Sequence, residues 1–139
     1  MENWRQTDNL FSNDSKKRLR RIKILLYSED FDFAQSFSLY FKKDFQKIVT
    51  VNDQTIFLEI VKFILPEIIV LDIQVNDSTF RLINEVKLLS SHSRIFIFTS
   101  HPFAQQDIVK KIQKLVDKIF FQPIDLVDFN QTLNFYTAD

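Results

Sequence analysis

The chain of 139 residues contains no glycine and no cysteine. Without cysteine, disulfide scaffolds, thiolate zinc sites, thiol catalysis and iron–sulfur clusters are excluded together. The lack of glycine reaches further. Phosphate-binding loops, dinucleotide fingerprints, EF-hand loops and nucleophile elbows need a residue without a Cβ, to reach φ > 0 or to let a ligand approach the backbone. P-loop NTPases, standard dinucleotide binders and α/β-hydrolases therefore fall away. Turns are expected to use Asn and Asp, which tolerate the left-handed region best among the other residues. No apolar run reaches the roughly 18 residues of a membrane-spanning helix. The polar start MENWRQTDNLFSNDS lacks the apolar stretch of a signal peptide. A cytoplasmic protein with no membrane partner is expected. Lys plus Arg and Asp plus Glu stand at 18 each, so a globally basic nucleic-acid binder is not indicated.

Apolar residues make up 45% and charged residues 26%, which excludes wholesale disorder. The length fits one domain with a tail, placed at 22–139 after a flexible basic extension over 1–21. KKRLRRIK at 16–23 holds six basic residues in eight, whereas 24–139 hold 11 Lys/Arg against 15 Asp/Glu. The basic run reads as a solvated lead-in, since no aromatic interleaving or recognition helix accompanies it. Trp4, Leu10 and Phe11 are the tail's candidate docking residues.

From residue 22 the pattern alternates. Short apolar runs at 22–27 (IKILLY), 47–51 (KIVTV), 68–71 (IIVL), 94–98 (RIFIF) and 118–121 (KIFF) predict strands. Apolar residues at three- and four-residue spacing predict helices between them. Phe33, Ala34, Phe37, Tyr40 and Phe41 form the first stripe, over 31–42. Ile56, Phe57, Ile60, Val61 and Ile64 form the second, capped by Asn52 or Asp53 and stopped by Pro66. Phe80, Ile83, Val86 and Leu89 form the third, after a polar loop over 72–78. Ile108, Ile112, Leu115 and Val116 form the fourth, with Pro102 in its first turn. Leu126, Phe129 and Leu133 form the last, capped by Asp125. Strands apolar on both faces with helical crossovers give an α/β fold with a parallel sheet covered on two sides.

In such a sheet, ligands bind beyond the carboxyl ends of the strands. Ser28, Glu29 and Asp30 follow the first strand, Asp72 the third, Thr99 and Ser100 the fourth, Gln122 and Pro123 the fifth. Glu29 and Asp72 are candidate ligands of Mg²⁺, with a loop carbonyl such as that of Gln74 as a third oxygen. Asp72 is then a candidate nucleophile towards a phosphoryl donor, and the Thr99 hydroxyl a phosphate contact. Gln74 is also placed to orient a hydrolytic water. His92 and His101 show no metal-ligand spacing.

The runs IKILLYSED, PEIIVLD, RIFIFTS and IFFQPID, in this order over about 22–136, resemble the receiver domain of two-component response regulators (CheY-like superfamily). The resemblance implies a flavodoxin-like (βα)5 three-layer sandwich with strand order 2-1-3-4-5. It implies that Asp72 is the phosphoacceptor, Glu29 the second member of the acidic pair, and Thr99 the switch hydroxyl. Pro123 matches the proline that follows the family's lysine. Ser28 stands where the first acid is usual, Gln122 where the lysine stands, and Ile119 where an aromatic switch residue is common. The loop after Asp72 is about one residue short. Mg²⁺, weakly held, is the implied cofactor. The implied partners are a histidine kinase or phosphotransfer protein and a downstream protein target. A homodimer through the fourth helix, fifth strand and fifth helix is a further implied assembly. No independent enzyme activity is expected. A flavin site is set aside because SEDFDF after the first strand is acidic and would repel a phosphate. The alternative within the same fold is a degenerate receiver, a protein-interaction module independent of phosphorylation. With the last predicted helix ending close to Asp139, output is expected to pass through another protein.

Overall fold

Five strands alternate with five helices in the computed structural model, which describes residues 21–100 and 106–137. They are β1 Lys23–Ser28, α1 Phe31–Phe41, β2 Lys47–Val51, α2 Gln54–Ile64, β3 Ile68–Asp72, α3 Asp77–Leu89, β4 Arg94–Thr99, α4 Gln106–Gln113, β5 Lys118–Phe121 and α5 Leu126–Thr137. All strand pairs are parallel and the order is β2-β1-β3-β4-β5. This is the flavodoxin-like α/β sandwich. Residues 1–20 of the tail, His101 and Pro102 lie outside the described residues.

The central strands are apolar on both faces because both faces are covered. Ile24, Leu26, Ile68, Val70, Phe96 and Phe98 point into a layer closed by Phe37 and Phe41 of α1 and Phe129 and Leu133 of α5. The alternate residues Leu25, Ile69, Leu71, Ile95 and Ile97 meet Phe57 and Val61 of α2, Ile83 and Val86 of α3, and Ile112 of α4. Phe129 is a hub of the first layer. Its ring lies edge-on to Phe41, Phe96, Phe98 and Phe120 at centroid distances of 4.9 to 5.9 Å.

Several expected boundaries move. β1 starts at Lys23 and runs through Ser28, and β3 and β4 each take in one more residue, Asp72 and Thr99. α3 begins at Asp77, inside the loop predicted over 72–78. Asn76 accepts from the Thr79 amide, and Thr79 Oγ1 accepts from the Asn76 amide, closing a capping box. α4 ends at Gln113, so Leu115 and Val116 pack from the following turn, where both amides reach the Ile112 carbonyl. Tyr40, Ile56 and Leu89 lie exposed, because a helix on a sheet buries only a narrow stripe. The expectation that Asn or Asp takes the left-handed turns is corrected at the end of α2. There Leu65, φ 50°, is the positive-φ residue among those described. Its amide closes onto the Val61 carbonyl, and Pro66 prevents the helix from continuing. The conformation costs about 1–2 kcal/mol for a residue with a Cβ.

Parallel strands with returning helices polarise the molecule. The sheet's carboxyl edge gathers the N-termini of all five helices, and its amino edge gathers their C-termini. The six residues of β1 separate these poles by about 20 Å.

Candidate functional site

The register of the sheet brings the first two predicted clusters together. Ser28 and Asp72 are direct partners across β1 and β3. Ser28, almost fully buried, donates its hydroxyl proton to Asp72 Oδ2 at 2.7 Å and accepts the Asp30 amide at 3.1 Å. It thus braces the carboxylate from inside the sheet. From the far side of β3, Gln122 Nε2 approaches Asp72 Oδ1 at 3.5 Å, while the Gln122 amide donates to the Thr99 carbonyl at 2.8 Å. The Gln122–Pro123 peptide is cis.

Asp72 sits half-buried at the floor of an open cleft of about 390 Å³. Glu29, Asp30, Gln74 and Gln122 share its lining, with Tyr27, Gln54, Asn76 and Thr79. Burial pushes the Asp72 carboxyl above the ordinary carboxylate range, and the charge of Asp30 adds to this. The bonds from Ser28 and Gln122 act in the opposite direction. The cleft thus holds a carboxylate that is costly to ionise, facing other carboxylates, with no Lys or Arg among the described residues on its walls.

The remaining predicted residues take distinct places. Glu29 Oε1 accepts from Tyr27 Oη at 3.0 Å. Burial, then that bond and the charge of Glu29, push Tyr27 up to about 12. Asp30 caps α1 through the Phe33 amide. Gln74 Nε2 donates to Ser100 Oγ at 2.6 Å, tying the loop after β3 to the end of β4. Its carbonyl accepts from Thr79 Oγ1, so the expected third metal oxygen is already engaged on one side. Thr99 is buried, with no hydrogen-bond partner for its hydroxyl among the described residues, and neither it nor Ser28 belongs to the residues lining the cleft. His92 lies at the other pole, against the Leu65 carbonyl.

Sequence reading missed Tyr27 and the Asn76–Thr79 pair. Tyr27 and Glu29 lie two apart at a strand end, so their side chains leave on the same side. Asn76 followed three residues later by a hydroxyl is a helix-start signal.

Among the described residues, no three acidic or histidine side chains are grouped to enclose a metal ion. Mg²⁺ does not require this. It is commonly held by one or two carboxylates and keeps several waters. Burial and then the charge of Asp30 lift Asp72, and Glu29 shares the same cleft, an electrostatic situation that a divalent cation relieves. The donor set therefore fits Mg²⁺.

No family model matches the sequence, and no curated protein matches it significantly. Solved structures do. The N-terminal domain of the nisin resistance regulator NsrR is 15% identical and superposes with a TM-score of 0.71, covering 85% of this chain and 99% of that one. A response regulator receiver domain protein from Clostridium thermocellum is 17% identical, TM-score 0.70, with 84% and 94% covered. The receiver domain of the histidine kinase CKI1 from Arabidopsis thaliana, solved with Mg²⁺ and BeF3⁻, is 13% identical, TM-score 0.67, with 88% and 95% covered. The fold is that of the response regulator receiver domains.

Proposed function

We propose that this domain is a two-component receiver that accepts a phosphoryl group on Asp72. The observation that carries the reading is the position of Asp72. It ends the central strand β3, braced by Ser28 at 2.7 Å, on the floor of a cleft that also holds Glu29. An Asp72 Oδ atom attacks phosphorus, an O–P bond forms as the donor's P–N or P–O bond breaks, and the leaving group keeps the electron pair. Glu29, Asp72 and the Gln74 carbonyl are the residues that would hold Mg²⁺, which would screen the negative charge of carboxylates and donor. Gln122 supplies a neutral donor on the opposite side, and Thr99 and Ser100 stand at the adjoining strand end. The donor would be a histidine kinase or phosphotransfer protein. Output would pass by contact to another protein, with pairing of copies through α4, β5 and α5 as one route.

A second reading, a phosphorylation-independent interaction module, is favoured by one specific feature. The cleft carries Gln122 and no cation on its described walls, so a phosphoryl group there would lack charge-assisted contacts. Incubation with acetyl phosphate and Mg²⁺, followed by intact mass measurement, separates the two. The receiver reading expects one phosphoryl group per chain, lost in Asp72→Asn. A mass unchanged with acetyl phosphate and with a phosphorylated donor protein would leave only the second reading.

A further inference from the structure

A second cavity lies at the pole opposite Asp72, where the chain enters β4 and β5. It holds about 300 Å³ and is walled by the end of α3, the turn over 90–93 and the turn over 114–117. The two turns run side by side because β4 and β5 pair from Phe96 and Lys118 onward. Lys87, Ser91, His92, Arg94, Lys114 and Asp117 are the polar groups that matter on its walls. Three positive charges thus stand against one negative charge, although 24–139 as a whole hold 11 Lys/Arg against 15 Asp/Glu. The Asp72 cleft, with no cation on its described walls, has the reverse character.

The one carboxylate is already engaged. Asp117 Oδ2 accepts from the Ile95 amide at 2.8 Å and Oδ1 from Arg94 at 3.2 Å. Arg94 is held from a second side, its guanidinium 5.7 Å from the centroid of the Tyr136 ring, while Tyr136 Oη donates to the Asp117 carbonyl at 2.9 Å. Asp117 takes one of the five N–H groups of Arg94. Lys87 donates one of its three protons to the Leu115 carbonyl at 2.6 Å, which ties α3 to the second turn. Lys114 and the Ser91 hydroxyl have no hydrogen-bond or ion-pair partner among the described residues. Helix dipoles account for Lys87 in the last turn of α3 and for Lys114 just past α4. They do not account for Arg94, which starts a strand, or for its place beside both lysines on one cavity.

We propose that this cavity binds a phosphate dianion, free or carried by a small molecule. A phosphate monoester has a charge of about −1.5 to −2 at pH 7 and three strong acceptor oxygens. That charge balances the excess of cations on the walls. The oxygens suit a guanidinium fixed in place, two ammonium groups and a hydroxyl. The volume stands at the small end of ligand pockets, which fits a compact phosphorylated molecule rather than a dinucleotide. The length of the sheet separates this site from Asp72, so phosphate binding here and phosphoryl transfer there stand or fall independently.

The test is a titration of the full chain with inorganic phosphate, ribose 5-phosphate and ribose, without Mg²⁺, followed through amide resonances. Both phosphates are expected to shift residues 90–95 and 114–117 saturably while 72–79 stay in place, and ribose is expected to shift neither group. Tighter binding of ribose 5-phosphate assigns the site to a phosphorylated small molecule and equal binding assigns it to free phosphate; either supports the proposal. Lys114→Gln is expected to weaken binding about tenfold. Arg94→Lys, which keeps the charge and loses the planar fork, is expected to weaken it about threefold. Lys110→Gln, on α4 outside the cavity, is expected to leave it unchanged. The proposal is overturned if neither phosphate shifts the two turns, or if sodium chloride at equal ionic strength reproduces the shifts. It is equally overturned if ribose binds as tightly as its phosphate, if Lys114→Gln binds as tightly as the native chain, or if Lys110→Gln weakens binding as much as Lys114→Gln.

Discussion

Replacing Gln122 by lysine tests how the site handles negative charge. Gln122 Nε2 lies 3.5 Å from Asp72 Oδ1, at the outer limit of a hydrogen bond. Its contribution falls below the about 1 kcal/mol of an ordinary neutral bond. A lysine is one atom longer, enough to close that gap, and its ammonium group donates charge-assisted bonds worth roughly 1.5–3 kcal/mol. Gln122 is exposed, so solvent screens part of the gain. The net difference is then about 1–2 kcal/mol, or roughly five- to thirtyfold in affinity for a phosphoryl mimic. Titration with beryllofluoride and Mg²⁺, followed through the amide resonances of residues 72–79, reads this directly. Gln122→Lys should bind more tightly by that factor, and the Asp72 carboxyl should titrate lower than in the native chain. Equal or weaker binding in a correctly folded Gln122→Lys protein would refute the electrostatic account of the cleft.

Three further outcomes are expected. Because burial raises the Asp72 carboxyl, the folded state holds its proton to higher pH than the unfolded chain, so ionisation costs stability as pH climbs from the ordinary carboxylate value through the raised one. Asp72→Asn should therefore melt higher than the native protein at neutral pH and lose that advantage below about pH 3.8; a neutral-pH melting point below the native one would contradict this. Glu29→Gln removes a charge and weakens an acceptor beside Tyr27, so the tyrosine that titrates near 12 should ionise at lower pH in an alkaline ultraviolet titration, with Tyr27→Phe identifying its signal. Phe129→Ala, which empties the hub of one aromatic layer, should cost about 3–5 kcal/mol in denaturant unfolding, and a loss under 1 kcal/mol would show that the layer can collapse around it.

The sheet was legible because its central strands carry apolar residues on both faces. IIVL before Asp72 and ILLY before Ser28 admit few alternatives once helical stripes separate them. The placement of Asp72 followed from the same logic, since parallel strands bring their carboxyl ends to one rim. Periodicity was less informative at helix surfaces. It gives the direction of a stripe but not its width, so Tyr40, Ile56 and Leu89 were placed inside although they face solvent. The start of α3 was hidden because its capping residues are polar and look like loop. The partners within the site were beyond the sequence altogether. That Ser28 donates to Asp72, that Gln74 reaches Ser100, and that Thr99 turns into the interior depend on rotamers fixed by packing. Leu65 in a left-handed turn shows the same limit: without glycine, the position that stops α2 falls to whichever residue precedes Pro66.

The central claim is that one carboxylate, Asp72, takes the phosphoryl group. Borohydride reduction after incubation with a phosphodonor and Mg²⁺ converts an aspartyl phosphate to homoserine, which peptide mass spectrometry can place in the chain. Homoserine at position 72 and at no other acidic residue is the predicted result. Its appearance at Glu29 or Asp30 instead, or its absence from a chain that has gained a phosphoryl group, would contradict the account.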